Sequence, residues 1–207
     1  MSDNWAAENL QTIRTLMERT AVYRRALAPI TLTTGIMGAA AGGIGWAWSP
    51  QTARGIIFFW LATAVATLLI GLVMVRRQAM RAAEPFWSPP TRRVAQAFLP
   101  CLYIGLVAGV ALTAVDVNLV HLWVLVSVWL ALYGSALLAS SFFMSRSVKA
   151  VGLFFLALGS ALLAGLILTE NHPAPRFIHA VMGATFGGVH LAYGAYLWFT
   201  EKKPATP

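Results

Sequence analysis

Charge is what this sequence lacks, and it is missing in long blocks. Only 11% of the 207 residues are Asp, Glu, Lys or Arg, against 58% hydrophobic, whereas soluble domains are about a quarter charged. Six stretches hold none of the four: 27–47, 55–75, 94–115, 119–140, 150–168 and 177–199. Each is near the ~20 residues that a helix needs to cross a hydrocarbon core. Cysteine is almost absent too. With Cys101 alone, an intrachain disulfide and any C-x-x-C redox or zinc pair are excluded, and the residue reads as a small packing group. No acid lies inside a span and no span is clearly broken by proline, which removes the usual hardware of a proton- or sodium-coupled transporter. G-x-S-x-G, H-E-x-x-H and phosphate-binding glycine loops are missing as well, so no catalytic residue is assigned and no enzyme is expected.

The residues that are present predict an all-α, polytopic transmembrane helix bundle: six spans preceded by an amphipathic helix within residues 1–26, in one 27–200 domain with a 201–207 tail. Basic residues give the orientation. Arg14, Arg19, Arg24 and Arg25, then Arg76, Arg77, Arg81, Arg92 and Arg93, then Arg146 and Lys149, then Lys202 and Lys203 all fall on one side of such a bundle. Only Arg54 and Arg176 fall on the other, so the positive-inside bias sets both termini in the cytoplasm of a bacterial inner membrane. The net charge of +8 is then an orientation signal and an attraction to anionic lipid, with no nucleic-acid partner implied. Trp46, Trp48, Trp123 and Trp198 sit at span ends as interfacial rings do.

Before the first span, Trp5, Leu10, Ile13, Met17 and Ala21 recur at helical spacing, with Glu8, Arg14, Glu18, Arg19 and Arg25 on other faces. Residues 3–25 therefore predict a helix lying on the inner leaflet or docking a cytoplasmic partner. The charged start and the full-length first span also argue against a cleavable signal. Between the second and third spans, Pro85, Pro89 and Pro90 predict a membrane-hugging loop across Arg76 to Arg93.

The sixth span carries the most ordered pattern. At 100° per residue, His179, Gly183, Gly187, His190 and Gly194 fall on one narrow stripe of a helix. That stripe predicts a close-packed interior face, or a cofactor- or ligand-binding one. Haem is one reading, since glycines admit a flat macrocycle and histidines supply axial ligands, but His190 has no histidine at its own depth. A metal at the outer end is another, built from Asp116, His121, Glu170, His172 and His179, although no local ligand spacing supports it. Gly35, Gly38, Gly42 and Gly45 in the first span, and Gly105 and Gly109 in the third, predict tight helix packing within the bundle or between protomers of a homo-oligomer. Thr31, Thr33, Thr34, Thr63 and Thr67 predict helix cross-links or the lining of a pore.

Two short patches carry a family resemblance. Ile13-Arg14-Thr15-Leu16-Met17-Glu18-Arg19 leads into the Gly-rich first span, and Gly188-Val189-His190-Leu191-Ala192-Tyr193-Gly194 precedes the basic tail. Here the chain resembles a loosely defined family of uncharacterised bacterial integral-membrane proteins. The resemblance implies six helices and no assigned activity. The function expected is that of a non-catalytic sensor, accessory or interaction protein. The alternatives are a small-molecule facilitator or channel, and a membrane haem- or metal-binding protein.

Overall fold

The computed structural model describes residues 27–48, 52–81, 86–87, 89–144, 146–169 and 173–200. The amphipathic helix expected at 3–25, the 201–207 tail, Glu170 and His172 lie outside them. The described residues are helical, without a strand. Five of the helices are long and apolar enough to cross a membrane: α1, Leu27–Ala47; α2, Ala53–Arg81; α3, Pro89–Leu112; α4, Leu119–Ser141; and α5, Arg146–Leu168. The sixth stretch is also helical throughout, as α6, Arg176–Met182, a π-helical segment, Gly183–Val189, and α7, His190–Thr200.

Two boundaries differ from the sequence expectation. Helix α2 runs on through Arg76, Arg77 and Arg81, because arginine is a good helix former and a charge leaves the hydrocarbon without ending the helix. Helix α3 begins at Pro89, since the first turn needs no amide donor there and the fixed φ suits it. Of the loop expected across Arg76–Arg93, Arg76–Arg81 and Pro89–Arg93 are therefore helical. Pro100 lies inside α3, which runs unbroken from Pro89 to Leu112.

Helix α4 is the central element. Its Leu122, Trp123, Leu125, Val126 and Leu130 are buried, and they join Ile56, Ile57 and Trp60 of α2, Phe155 of α5, and Ile178 and Met182 of α6 in one apolar core. Its start is fixed by a capping box. The Asn118 side chain accepts from the His121 amide at 3.0 Å, and the Asn118 amide donates to His121 Nδ1 at 3.2 Å, satisfying donors that a helix N-terminus otherwise leaves open.

Glycine sets how closely the helices approach. A Cβ at Gly134 would strike the backbone of Leu156 and Gly152, and one at Gly159 would strike the backbone of Ala131 and Ser127. Helices α4 and α5 thus touch main chain to main chain, the contact small residues allow where lipid supplies no hydrophobic drive for association. The outward faces remain greasy: Ile36, Leu69, Val73, Tyr103, Leu153 and Ile167 are all exposed, a continuous apolar exterior of a kind that water-soluble monomers do not carry.

Candidate functional site

The last helix builds the site, and its π segment decides the geometry. In an unbroken α-helix, eleven steps would put His179 and His190 about 20° apart in azimuth. A π turn absorbs about one extra residue and swings what precedes it by about 100°. The two histidines accordingly meet different helices. His179 faces α2, where the Trp60 indole donates to its Nδ1 at 3.2 Å, with Trp60 stacked at 6.0 Å and Phe59 edge-on at 5.5 Å. His190 faces α4 and α5. Its Nε2 pairs with the Tyr133 hydroxyl at 2.6 Å, inside a cage of Tyr133, Phe155 and Phe186. Of the stripe expected from α-helical spacing, His179, Gly183, Gly187 and Gly194 all meet α1, at Gly45, Gly42, Ala39 and Leu32, and His190 pairs instead with Tyr133 of α4.

Both rings are buried, His179 fully and His190 to 5% exposure. Among the described residues, one nitrogen of each has no hydrogen-bond partner: Nε2 of His179 and Nδ1 of His190. At His179 the tautomer follows from chemistry. An indole nitrogen can only donate, so Nδ1 accepts and the neutral ring carries its proton on Nε2. That leaves a buried N–H donor with no acceptor, a cost of about 1–3 kcal/mol.

Helix α1 lies along this assembly through a glycine seam. A Cβ at Gly35 would run into Leu191, one at Gly38 into the backbone of Phe186 and Gly187, and one at Gly45 into the His179 ring. From the other side, Gly187 meets the backbone of Ala39 and Gly194 meets Leu32. The small residues of α1 and of the last helix thus pack on each other. Gly105 and Gly109 seat a side chain instead: the Trp129 indole donates to the Gly105 carbonyl at 2.8 Å and lies where a Gly109 Cβ would go.

On its open side the seam leaves a groove of about 350 Å³, lined by Ala39, Gly43 and Trp46 of α1 and by His179, Ala184 and Gly188 of the last helix, among others. A Cβ at Gly43 or Gly188 would meet nothing. The Arg176 guanidinium sits 5.4 Å from the ring of Trp46, one of the lining residues, a cation–π distance.

The outer metal set does not assemble among the described residues. Asp116 is an exposed loop residue, His121 Nδ1 is taken by the helix cap, and His179 is held by Trp60. No three His, Cys, Asp or Glu residues converge there. The threonines are corrected as well. Thr31, Thr33, Thr63 and Thr67 each donate to the carbonyl four residues earlier in their own helix, so the proton of each hydroxyl is not donated across to another helix. Trp123, expected at the interface, is buried and donates to the Pro173 carbonyl at 2.9 Å. Sequence reasoning missed Trp60, Tyr133 and Phe155 as histidine partners, because an aromatic inside a uniformly apolar span carries no mark of the face it occupies. Only the pairing of buried polar tips with buried imidazoles could have suggested them.

Known proteins supply no precedent for this arrangement: no family model, no curated protein and no solved structure matches the chain.

Proposed function

We propose that the chain is a six-span protein of a bacterial inner membrane, with both termini cytoplasmic, acting as a non-catalytic sensor, accessory or interaction protein. The last helix supports the sixth span. From Arg176 to Thr200 it is continuous in hydrogen-bonded helix, about 37 Å at 1.5 Å per residue and so longer than a ~30 Å core. The charge distribution supports the orientation. Arg76, Arg77, Arg81, Arg92, Arg93, Arg146 and Lys149 flank one end of the helices, and Arg54 and Arg176 the other.

One observation carries the functional reading: α1 is fitted to the π segment backbone to backbone through Gly38 and Gly187. The basic amphipathic stretch 3–25 leads directly into α1, so a lipid or partner that pulls on it acts on the part of the last helix that sets both histidines. The hydroxyls support this reading over a channel. Those of Thr31, Thr63, Ser127 and Ser135 each donate to a carbonyl of their own helix, which leaves a path only their acceptor oxygens, whereas conduction is served by polar groups turned to it.

The test is Gly187→Leu, which forces a side chain into the Ala39 backbone. The variant should lose assembly and thermal stability in detergent; stability and oligomeric state equal to wild type would remove the basis for this reading. Solute flux through liposomes holding the purified protein would favour the channel instead.

The haem reading meets a specific obstacle in the residues themselves. The Trp60 indole on His179 Nδ1 leaves the proton on that ring's other nitrogen, and His190 is held by Tyr133 of a different helix. A visible absorption spectrum of the purified protein should lack a Soret band.

A further inference from the structure

Helix α3 carries polar groups on the side turned away from the bundle. Its inner side is marked by Phe98, whose ring meets Tyr133 edge-on, and by Gly105, whose carbonyl accepts from the Trp129 indole at 2.8 Å. Tyr103 lies about 160° round the helix from Gly105 and is 67% exposed. Gln96, two turns earlier on the same side, is exposed as well. Among the described residues neither side chain has a hydrogen-bond partner.

Depth makes this placement costly. Tyr103 stands ten residues after Arg93 and nine before the helix ends at Leu112, about 15 Å and 14 Å along the axis, which is the midplane of a ~30 Å core. A tyrosine that faces lipid belongs at the headgroups, where its hydroxyl reaches water. From the midplane it reaches only hydrocarbon, which offers a hydroxyl no partner. Pro100 adds to the polar face, since it has no N–H and leaves the Gln96 carbonyl without its usual intrahelical donor. Polar groups at membrane depth turn to protein or to a water-filled cavity. The rest of this chain lies on the other side of α3, so the protein they turn to is a second molecule.

The spacing says which molecule. Gln96, Leu99, Tyr103, Leu106 and Val110 recur at steps of three and four and are all exposed, the a and d pattern of a helix–helix seam with both polar residues at a. A phenol hydroxyl and a carboxamide each donate and accept, so this face satisfies itself about a two-fold axis. A second copy, lying the same way up in the membrane, brings the same groups to the same depth. No charge stands between Arg93 and Asp116 to oppose the contact.

We propose that this face of α3 joins two copies of the chain in a parallel, two-fold dimer. The Tyr103 hydroxyls hydrogen-bond to each other at the midplane, and the Gln96 carboxamides and freed carbonyls do so nearer the inner surface. The inference rests on the membrane reading given above.

The test is disulfide trapping of the full chain in bacterial membranes, in a Cys101→Ser background. Leu106→Cys, on the seam, should give a species of twice the chain's mass under a membrane-permeant copper oxidant. Ile104→Cys, exposed but about 100° round from Tyr103, should not. Analytical ultracentrifugation in mild detergent then reads the strength of the dimer. Tyr103→Phe takes only the hydroxyl from an exposed ring, so the fold stays intact, and the dimer should weaken about threefold and at most about twentyfold, from the average and the maximum worth of a polar contact between membrane helices. Absence of the Leu106→Cys dimer, equal trapping of Ile104→Cys, a monomeric wild type in detergent, or a dimer that Tyr103→Phe leaves unchanged each overturns the interface. A trapped species of any other mass gives the face to a different protein and overturns its occupant. Failure of the membrane reading shows separately, as recovery of the chain in the soluble fraction without detergent.

Discussion

Gly42 and Gly183 meet main chain to main chain: a side chain on either would overlap the other's Cα. One step along the same helix, Gly43 faces open space. This pair of neighbours separates packing from composition. Gly42→Leu should destabilise the protein by about 1–3 kcal/mol, as overpacking does. Gly43→Ala should leave stability unchanged or raise it by up to ~1 kcal/mol through helix propensity. Thermal unfolding of both variants in one detergent checks the contrast, and similar losses would mean that α1 is not seated as described.

The pairing of Tyr133 with His190 makes a second prediction. Tyr133→Phe keeps the ring contacts with Phe155 and Phe186 and removes only the hydroxyl that meets Nε2 at 2.6 Å. The expected loss is about 0.6 kcal/mol, the average for polar contacts between membrane helices, and at most about 1.7 kcal/mol. A variant as stable as wild type would show that the imidazole finds another partner.

The π segment makes a third. Deleting Gly188, which packs against nothing, shortens the turn by the residue that widens it. A regular α-helix would then swing α6 by about 100° and carry His179 away from Trp60. The deletion should cost at least as much thermal stability as Trp60→Phe, which removes the same hydrogen bond. A deletion milder than Trp60→Phe would mean that the π turn does not set the position of His179.

Much of this architecture was legible in the residues, and the illegible part has physical causes. Stretches free of charge announce helices long enough to span, and all five long apolar helices lie where such stretches run. Gly35, Gly38, Gly42 and Gly45 announced a close approach by their spacing. Their partner was not readable, because any small-residue stripe could take that face. The π turn left no trace, since hydropathy does not record whether a carbonyl bonds four or five residues ahead, so the departure of His190 from the stripe that meets α1 was not readable. The threonines misled similarly: a hydroxyl that turns back to its own helix has the same sequence as one that reaches across.

Topology is the claim on which the rest depends, and cysteine accessibility measures it most directly. In a Cys101→Ser background, single substitutions Asp116→Cys, Trp87→Cys and Phe199→Cys would be treated in intact bacterial cells with a membrane-impermeant maleimide. Asp116→Cys should label at once, while Trp87→Cys and Phe199→Cys should label only after the cells are opened. Labelling of Trp87→Cys from outside would invert the protein, and labelling of Phe199→Cys alone would show that the last helix does not cross.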